Sequence, residues 1–209
     1  IKPGDIVVLN YTKVQSARAY FIHKTSGKRY EVLVLDKFDN GNYHCLIGKS
    51  QKIKDGDLLQ DEKNIGEPIK VVKKAEGVVG FEVETTKENM DKILEIEGHT
   101  PLPPYIKRED TEEDKVRYNT VFAEKLGSSA SPTASLNLTN ELLEKIKAKG
   151  AKIVYVELKV GWGTFAPIRT DDVRDHQIHR EYINLSKESA ELINEVIKSG
   201  GDVWAFGTT

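Results

Sequence analysis

The hydrophobic pattern of this chain changes at Gly98, and this change restricts the fold more than any other feature of the sequence. Before Gly98, short apolar runs are separated by turn pairs such as Asn40-Gly41, which is typical of antiparallel strands joined by hairpins. Directly after it, residues 99–105 hold three of the seven prolines, and proline lacks the N–H that a helix or central strand needs. We therefore predict a small β-barrel that ends at an extended connector.

Beyond the connector, helix and strand patterns alternate. Thr139 is the predicted N-cap of a helix over 141–149 that Gly150 ends, and a strand is predicted over 152–160. Ser186 is the predicted N-cap of a second helix, which ends before a glycine pair and a strand over 203–206. This order predicts an α/β sheet with ligand-binding loops at its strand ends. The predicted fold class is therefore α/β, with a β-rich segment before the connector.

The composition excludes several classes of protein. Hydrophobic residues make up 38% of the chain and the formal net charge is −2, which fits a globular domain and not a disordered or low-complexity one. No apolar run approaches the roughly 18 residues of a membrane span. The single cysteine, Cys45, has no intrachain partner and is expected to be an inert core residue. These features predict a cytoplasmic protein without a membrane partner.

The charge is unevenly distributed along the chain. Residues 1–60 hold 10 basic and 6 acidic side chains, a balance of +4, whereas residues 61–97 hold 6 and 10, a balance of −4. A basic amino-terminal part is able to face phosphates, although such a balance is also common on an ordinary solvated surface. The chain starts at Ile1 and stops directly after a predicted strand. We therefore expect it to be part of a longer protein.

Two polar segments are candidates for chemistry. Residues 161–165 (GWGTF) follow a predicted strand, where glycine amides can approach a ligand closely, although a tight turn around a buried Trp162 fits equally. Residues 176–182 form the densest polar cluster. In a strand, His179 and Glu181 share one face, and a carboxylate beside an imidazole can orient it for proton transfer. The alternatives are a surface His–Glu pair and a metal site, for which neighbouring ligands are lacking.

Three further features have both a structural and a binding interpretation. The small residues 127–135 precede a helix, an arrangement that favours an anion but also suits a flexible loop. Arg18, and Arg117 beside Tyr118, are able to hold a carboxylate or phosphate through charge-assisted hydrogen bonds. Isolated arginines also commonly form surface ion pairs. The residues by themselves predict an α/β ligand-binding protein and leave its chemistry open.

Several segments together resemble the S-adenosylmethionine:tRNA ribosyltransferase-isomerase family of queuosine biosynthesis. Their order and spacing match the family along essentially the whole chain. The segments are LNYTKV at 9–14, AR at 17–18, GHTPLPPYI at 98–106, RYNTVFA at 117–123, SPTA at 131–134, VGWGTFAP at 160–167, HQIHRE at 176–181 and GTT at 207–209.

The resemblance implies a fold, a reaction and a set of site residues. The fold is an α/β catalytic domain, discontinuous over residues 1–22 and 99–209, with an inserted small antiparallel β-barrel domain over residues 23–98. The reaction transfers the ribosyl group of S-adenosylmethionine to 7-aminomethyl-7-deazaguanine at the wobble position of tRNA with a GUN anticodon, and isomerises it to epoxyqueuosine. S-adenosylmethionine is the ribosyl-donating substrate, no metal takes part, and a monomer is expected. His179 and Glu181 are the implied proton-handling residues. The implied substrate-binding residues are Arg18, Tyr118, Pro132, Thr133, Asn137, Gly161, Gly163, Thr164 and His176.

The chain departs from the family pattern at three places. Asn137 and Lys159 each stand where the family has histidine, and Gln15-Ser16 stands where Ile-Pro is usual. Asparagine cannot exchange a proton near neutral pH, and lysine carries a fixed charge there. These departures favour an alternative, a non-catalytic relative that binds a nucleoside or RNA. A further alternative is an RNA-binding module formed by the barrel alone. A tRNA partner also predicts a basic surface around Lys2, Lys13 and Arg18.

Overall fold

The computed structural model describes residues 1–75, 79–103, 105–161, 170–175 and 181–207. These residues form two compact units, one of Ile1–Gln15 with Leu102–Thr209 and the other of Ser16–Pro101. The strands are β1 Ile6–Asn10, β2 Thr12–Val14, β3 Arg18–His23, β4 Arg29–Lys37, β5 Tyr43–Ile47, β6 Leu58–Asp61, β7 Ile69–Lys74, β8 Phe81–Glu84, β9 Lys125–Ser128, β10 Lys152–Lys159, β11 Tyr182–Asn184 and β12 Val203–Ala205. The helices are α1 Lys87–Glu97, α2 Glu112–Arg117, α3 Asn140–Ala148 and α4 Lys187–Lys198. The predicted α/β fold with an antiparallel barrel is confirmed.

The unit Ser16–Pro101 is a closed six-stranded barrel in the order β3-β4-β5-β8-β7-β6. Neighbouring strands are antiparallel, and alternate side chains such as Phe21, Val32 and Val83 fill the core. Cys45 is completely buried there, and burial raises the pKa of its thiol above the ordinary value. The predicted insert began at residue 23, whereas β3 pairs with both β4 and β6 within this barrel. The domain boundaries stay a prediction.

The other unit is built on a four-stranded sheet in the order β11-β10-β1-β12. Strand β1 runs parallel to both β10 and β12, and β11 is antiparallel to β10. One face of the sheet packs on α3, where Leu9 and Leu143 share a cluster, and the other face packs on α4 through Val154 and Val196. A separate parallel pair, β2 with β9, lies beside β10. Helices therefore cover both faces of a mainly parallel sheet.

Local capping sets the start of both covering helices. The Thr139 hydroxyl accepts a hydrogen bond from the Leu142 amide at 3.2 Å, and the Ser186 hydroxyl accepts one from the Ser189 amide at 3.1 Å. Gly150, after α3, has a φ of +85°, a left-handed conformation that glycine adopts without strain. The two predicted N-caps are confirmed. Among the described residues, no helix combines the length and apolar character needed to span a membrane.

Asp5 joins the amino end of β1 to the strand beside it. Its Oδ2 accepts hydrogen bonds from the Lys2 amide at 2.8 Å and from the Trp204 indole at 2.9 Å, and its Oδ1 accepts one from the Asp202 amide at 3.1 Å. The Lys2 amide bond is the main cause that lowers the pKa of Asp5, and burial opposes this shift. The carboxylate therefore stabilises the register between β1 and β12 in its charged form.

We predict that Asp5→Asn lowers the free energy of unfolding, because its amide group turns N–H donors toward the donors of Lys2 or Trp204. A carboxyl whose pKa is lower in the folded state adds stability above its unfolded pKa of about 3.9 and loses it as pH falls through the folded value. The difference in free energy of unfolding between the natural protein and the variant should therefore decrease below pH 4. Urea unfolding at several pH values measures it, with the exposed Asp171→Asn as control. The prediction would be contradicted if, at pH 7, Asp5→Asn lowered the free energy of unfolding by no more than the control does.

Candidate functional site

The carboxyl ends of three strands meet at one edge of the α/β sheet. Because β1, β10 and β12 are parallel, the segments that follow them leave the sheet on the same side, and these segments include Tyr11, Gly161 and Gly207. Ligands of open α/β sheets bind outside this edge. The predicted glycine-rich loop therefore begins where the topology favours a site.

A buried amide holds this edge together. Asn10 is completely buried at the end of β1, and its Nδ2 donates to the Leu158 carbonyl at 2.8 Å. Its Oδ1 accepts from the Leu158 amide at 3.2 Å and from the Thr12 amide at 3.1 Å. The side chain thus replaces backbone bonds at the point where β1 and β10 diverge. The role of Asn10 was not predicted, although an asparagine at the end of an apolar run was a usable signal.

Strand β11 brings Glu181 to the start of the glycine-rich loop. The Gly161 amide donates a hydrogen bond to Glu181 Oε1 at 2.8 Å, although the two residues are 20 positions apart in the chain. The two predicted site residues are therefore in direct contact. The Glu181 side chain is exposed, so this carboxylate lies at the surface of the site.

Lys159, at the end of β10, lies against a buried carboxylate. Its Nζ is 3.5 Å from Glu157 Oε1, and it lies 4.9 Å from the centre of the Tyr182 ring. Asn184 Nδ2 donates to the other carboxylate oxygen of Glu157 at 3.5 Å. Sequence reasoning missed Glu157. A charged residue directly after the apolar run 153–156 was the available signal, but its partner Asn184 lies on β11, a strand that the pattern did not place.

The small-residue segment 127–135 is tied to the end of β10. The Val160 amide donates to Ser128 Oγ at 3.0 Å, and the Ser129 amide donates to the Val160 carbonyl at 2.9 Å. A 3-10 turn over Thr133–Ser135 follows. A Cβ atom at Gly207 would lie 2.9 Å from Ala134 Cβ, so the loop after β12 lies directly on this turn. The predicted segments 131–134 and 207 are therefore neighbours.

Tyr118 lies beneath this turn. It is 6% exposed and packs with Val14, Leu102 and Leu136. Burial raises the pKa of its hydroxyl, and the nearby Ser131 amide opposes that shift. Within the described ranges, the buried hydroxyls of Ser131 and Ser135 have no hydrogen-bond partner. Tyr118 thus supports the turn from below and offers a polar group close to it.

The other predicted site residues are dispersed. Pro132 is half-buried before the turn, whereas the side chains of Thr133 and Asn137 are exposed. Arg18 belongs to the barrel unit, where its Nε lies 3.5 Å from Glu31 Oε1. Four predicted site residues lie outside the described residues, namely Gly163, Thr164, His176 and His179. Within the part of the chain that the structure describes, no three His, Cys, Asp or Glu side chains are grouped as metal ligands.

The comparison with protein families gives the decisive match. The model described as "Queuosine biosynthesis protein" matches residues 1–209. The chain belongs to this family. The family resemblance predicted from the sequence segments is therefore confirmed.

Members of the queuosine biosynthesis family with assigned names are similar along the whole chain. A protein of Chlorobaculum parvum is 43% identical over 209 residues, and one of a Sulfurihydrogenibium species is 41% identical over 211. Both are named S-adenosylmethionine:tRNA ribosyltransferase-isomerase, as is a Staphylococcus aureus protein that is 38% identical. This chain covers 59%, 61% and 60% of their lengths. It thus spans about three fifths of the curated relatives that it matches.

A solved structure is also similar to this family member. It is the S-adenosylmethionine tRNA ribosyltransferase of Thermotoga maritima, with 23% sequence identity and a TM-score of 0.33. The match covers 98% of this chain and 52% of that one.

We predict that Asn10→Leu destabilises the α/β unit. The leucine keeps a similar volume but leaves the Leu158 and Thr12 amides without their buried acceptor, at about 1–3 kcal/mol for each unpaired group. Urea unfolding followed by tryptophan fluorescence measures the loss, and the exposed Asn140→Leu on α3 is the matched control. A change no larger than that of the control would show that Asn10 does not hold β1 to β10.

Proposed function

We propose that the protein containing this chain transfers the ribosyl group of S-adenosylmethionine to tRNA and isomerises it. The acceptor is 7-aminomethyl-7-deazaguanine at the wobble position of a GUN anticodon, and the products are epoxyqueuosine-tRNA, adenine and methionine. The observation that carries the proposal is the family match across residues 1–209, together with relatives of that name at 38–43% identity. The active site would lie at the carboxyl edge of the sheet, and the protein would act in the cytoplasm.

The chemistry needs a base and charge-stabilising donors. A proton next to the sulfonium must be removed, and a carboxylate with a neighbouring imidazole suits this step. Glu181 and His179 are the proposed pair. The contact between Glu181 and the Gly161 amide supports this assignment, because it fixes the carboxylate beside the glycine-rich loop. S-adenosylmethionine is the ribosyl donor in this scheme and no metal takes part.

Substrate binding is proposed for the residues around the same edge. Pro132, Thr133 and Gly161 would contact the nucleoside, since the turn over Thr133–Ser135 lies against the loop after β12. Tyr118 would hold this turn in place. A role for Asn137 is proposed because its exposed amide follows the turn directly. Arg18 remains a candidate for an anionic group.

Turnover by the intact gene product tests the function. We expect adenine release from S-adenosylmethionine when the tRNA carries the deazaguanine precursor, and none with unmodified guanosine at that position. Absence of adenine release by the full-length protein would contradict the proposal. In that case Asn137→His together with Lys159→His distinguishes the alternative, because activity gained by the double variant would identify a non-catalytic relative.

We predict that Glu181→Gln lowers kcat at least 100-fold, the usual scale of general acid–base catalysis, with KM changed by less than threefold. Glutamine keeps an oxygen that can accept from the Gly161 amide but cannot take up a proton. Steady-state adenine release measures the effect, with Glu191→Gln on α4 as the exposed control. A glutamine variant that retains most of kcat while Glu181→Ala does not would assign Glu181 to positioning the loop.

A further inference from the structure

An aromatic ring and a cation stand side by side next to the Gly161–Glu181 contact. Strand β11 pairs antiparallel with β10, and this register sets Tyr182 directly opposite Lys159. Tyr182 is 55% exposed, a large fraction for a tyrosine that is part of a sheet. The Lys159 ammonium lies 4.9 Å from the centre of the ring. The pair therefore presents an aromatic surface and a positive charge together.

The position of the cation is fixed by its surroundings. Lys159 Nζ lies 3.5 Å from Glu157 Oε1, and the side chain of Glu157 is only 6% exposed, whereas that of Lys159 is 38% exposed. The lysine stem passes over Gly127, where a Cβ would lie 3.2 Å from Lys159 Cε. Gly127 has a φ of +127°, which also favours glycine. A ligand can thus reach the ammonium but not the carboxylate that holds it.

This combination matches the chemistry of an unpaired nucleotide. Single-stranded RNA is bound by stacking its bases on aromatic side chains, and cations contact the phosphates between them. Such stacking tolerates any base, because every base has a π-face. The pair adjoins the loop that begins at Gly161, so a nucleotide placed here would be close to the proposed site of reaction.

We propose that Tyr182 and Lys159 form a subsite for one nucleotide of the RNA substrate next to the reacting base. The Tyr182 ring stacks on the nucleobase, and the Lys159 ammonium donates a hydrogen bond to an adjoining phosphate. The subsite rests on the proposed function, since it takes its RNA ligand from that function. Such a contact accepts any base at this position but requires that the base be unpaired, as bases of the anticodon loop are.

Equilibrium binding of a fluorescent anticodon stem-loop RNA with a GUN anticodon tests the subsite. Affinity is measured for the intact protein at several salt concentrations, with Tyr182→Ala, Tyr182→Phe, Lys159→Gln and Lys159→Arg. The matched controls are Ile183→Ala, which removes a 63% exposed side chain from the same strand, and Lys152→Gln at the start of β10. Circular dichroism melting confirms that each variant folds.

Replacing Tyr182 and replacing Lys159 should have different effects on the salt dependence of RNA binding. Tyr182→Ala should weaken binding about tenfold without changing the dependence on salt, since stacking releases no counterion. Lys159→Gln should weaken binding and lower the slope of log K against log salt by about one. Tyr182→Phe and Lys159→Arg should bind within threefold of the natural protein, as should both controls.

Other outcomes would overturn the subsite. Tyr182→Ala that binds RNA as well as Ile183→Ala would exclude stacking, and an unchanged salt slope in Lys159→Gln would exclude the phosphate contact. A loss confined to S-adenosylmethionine binding would assign the pair to the small substrate instead. The proposed function can fail independently of the subsite. A protein that binds the stem-loop through Tyr182 but releases no adenine would contradict the proposed function and leave the subsite supported.

Discussion

The α/β unit depends on the parallel pairing of β1 with strands from the far part of the chain. Residues 6–10 pair with residues 152–156 on one side, and residues 6–8 pair with 203–205 on the other. Asp5 holds the amino end of this arrangement and Asn10 holds the carboxyl end, each through hydrogen bonds to a neighbouring strand or the residues beside it. The candidate site lies at the edge that Asn10 secures. Its geometry therefore depends on polar contacts that Asp5 and Asn10 make with residues far along the chain.

Much of the fold could be predicted because its signals are local. The Asn40-Gly41 turn, the caps at Thr139 and Ser186 and the glycine after α3 each act within a few residues, and the structure contains all of them. The pairing of β3 within the barrel could not be read in this way. Its side chains alternate like those of any half-buried strand, and its partners β4 and β6 are known only once the barrel closes.

The same limit applies to the candidate site. The sequence indicated Gly161 and Glu181 separately, but their contact depends on the antiparallel pairing of β11 with β10. Glu157 was missed because its role depends on its contacts with Lys159 and Asn184, which only the structure shows. The structure also changes the interpretation of Lys159. In the sequence, this position only lacks the histidine of the family pattern, whereas in the structure it places a cation against a buried carboxylate and next to an exposed ring.

The order of the strands along the chain has a consequence for biosynthesis. All six barrel strands lie between residues 18 and 84, so all of them are synthesised before β9 to β12. Strand β1 is made before them, but β10 and β12 leave the ribosome only after more than half of the chain has followed. Non-local parallel pairing of this kind is slow and leaves strand edges open in the meantime. The nascent chain would thus expose the apolar strand β1 without its partners after the barrel strands are complete, and such an exposed strand promotes aggregation.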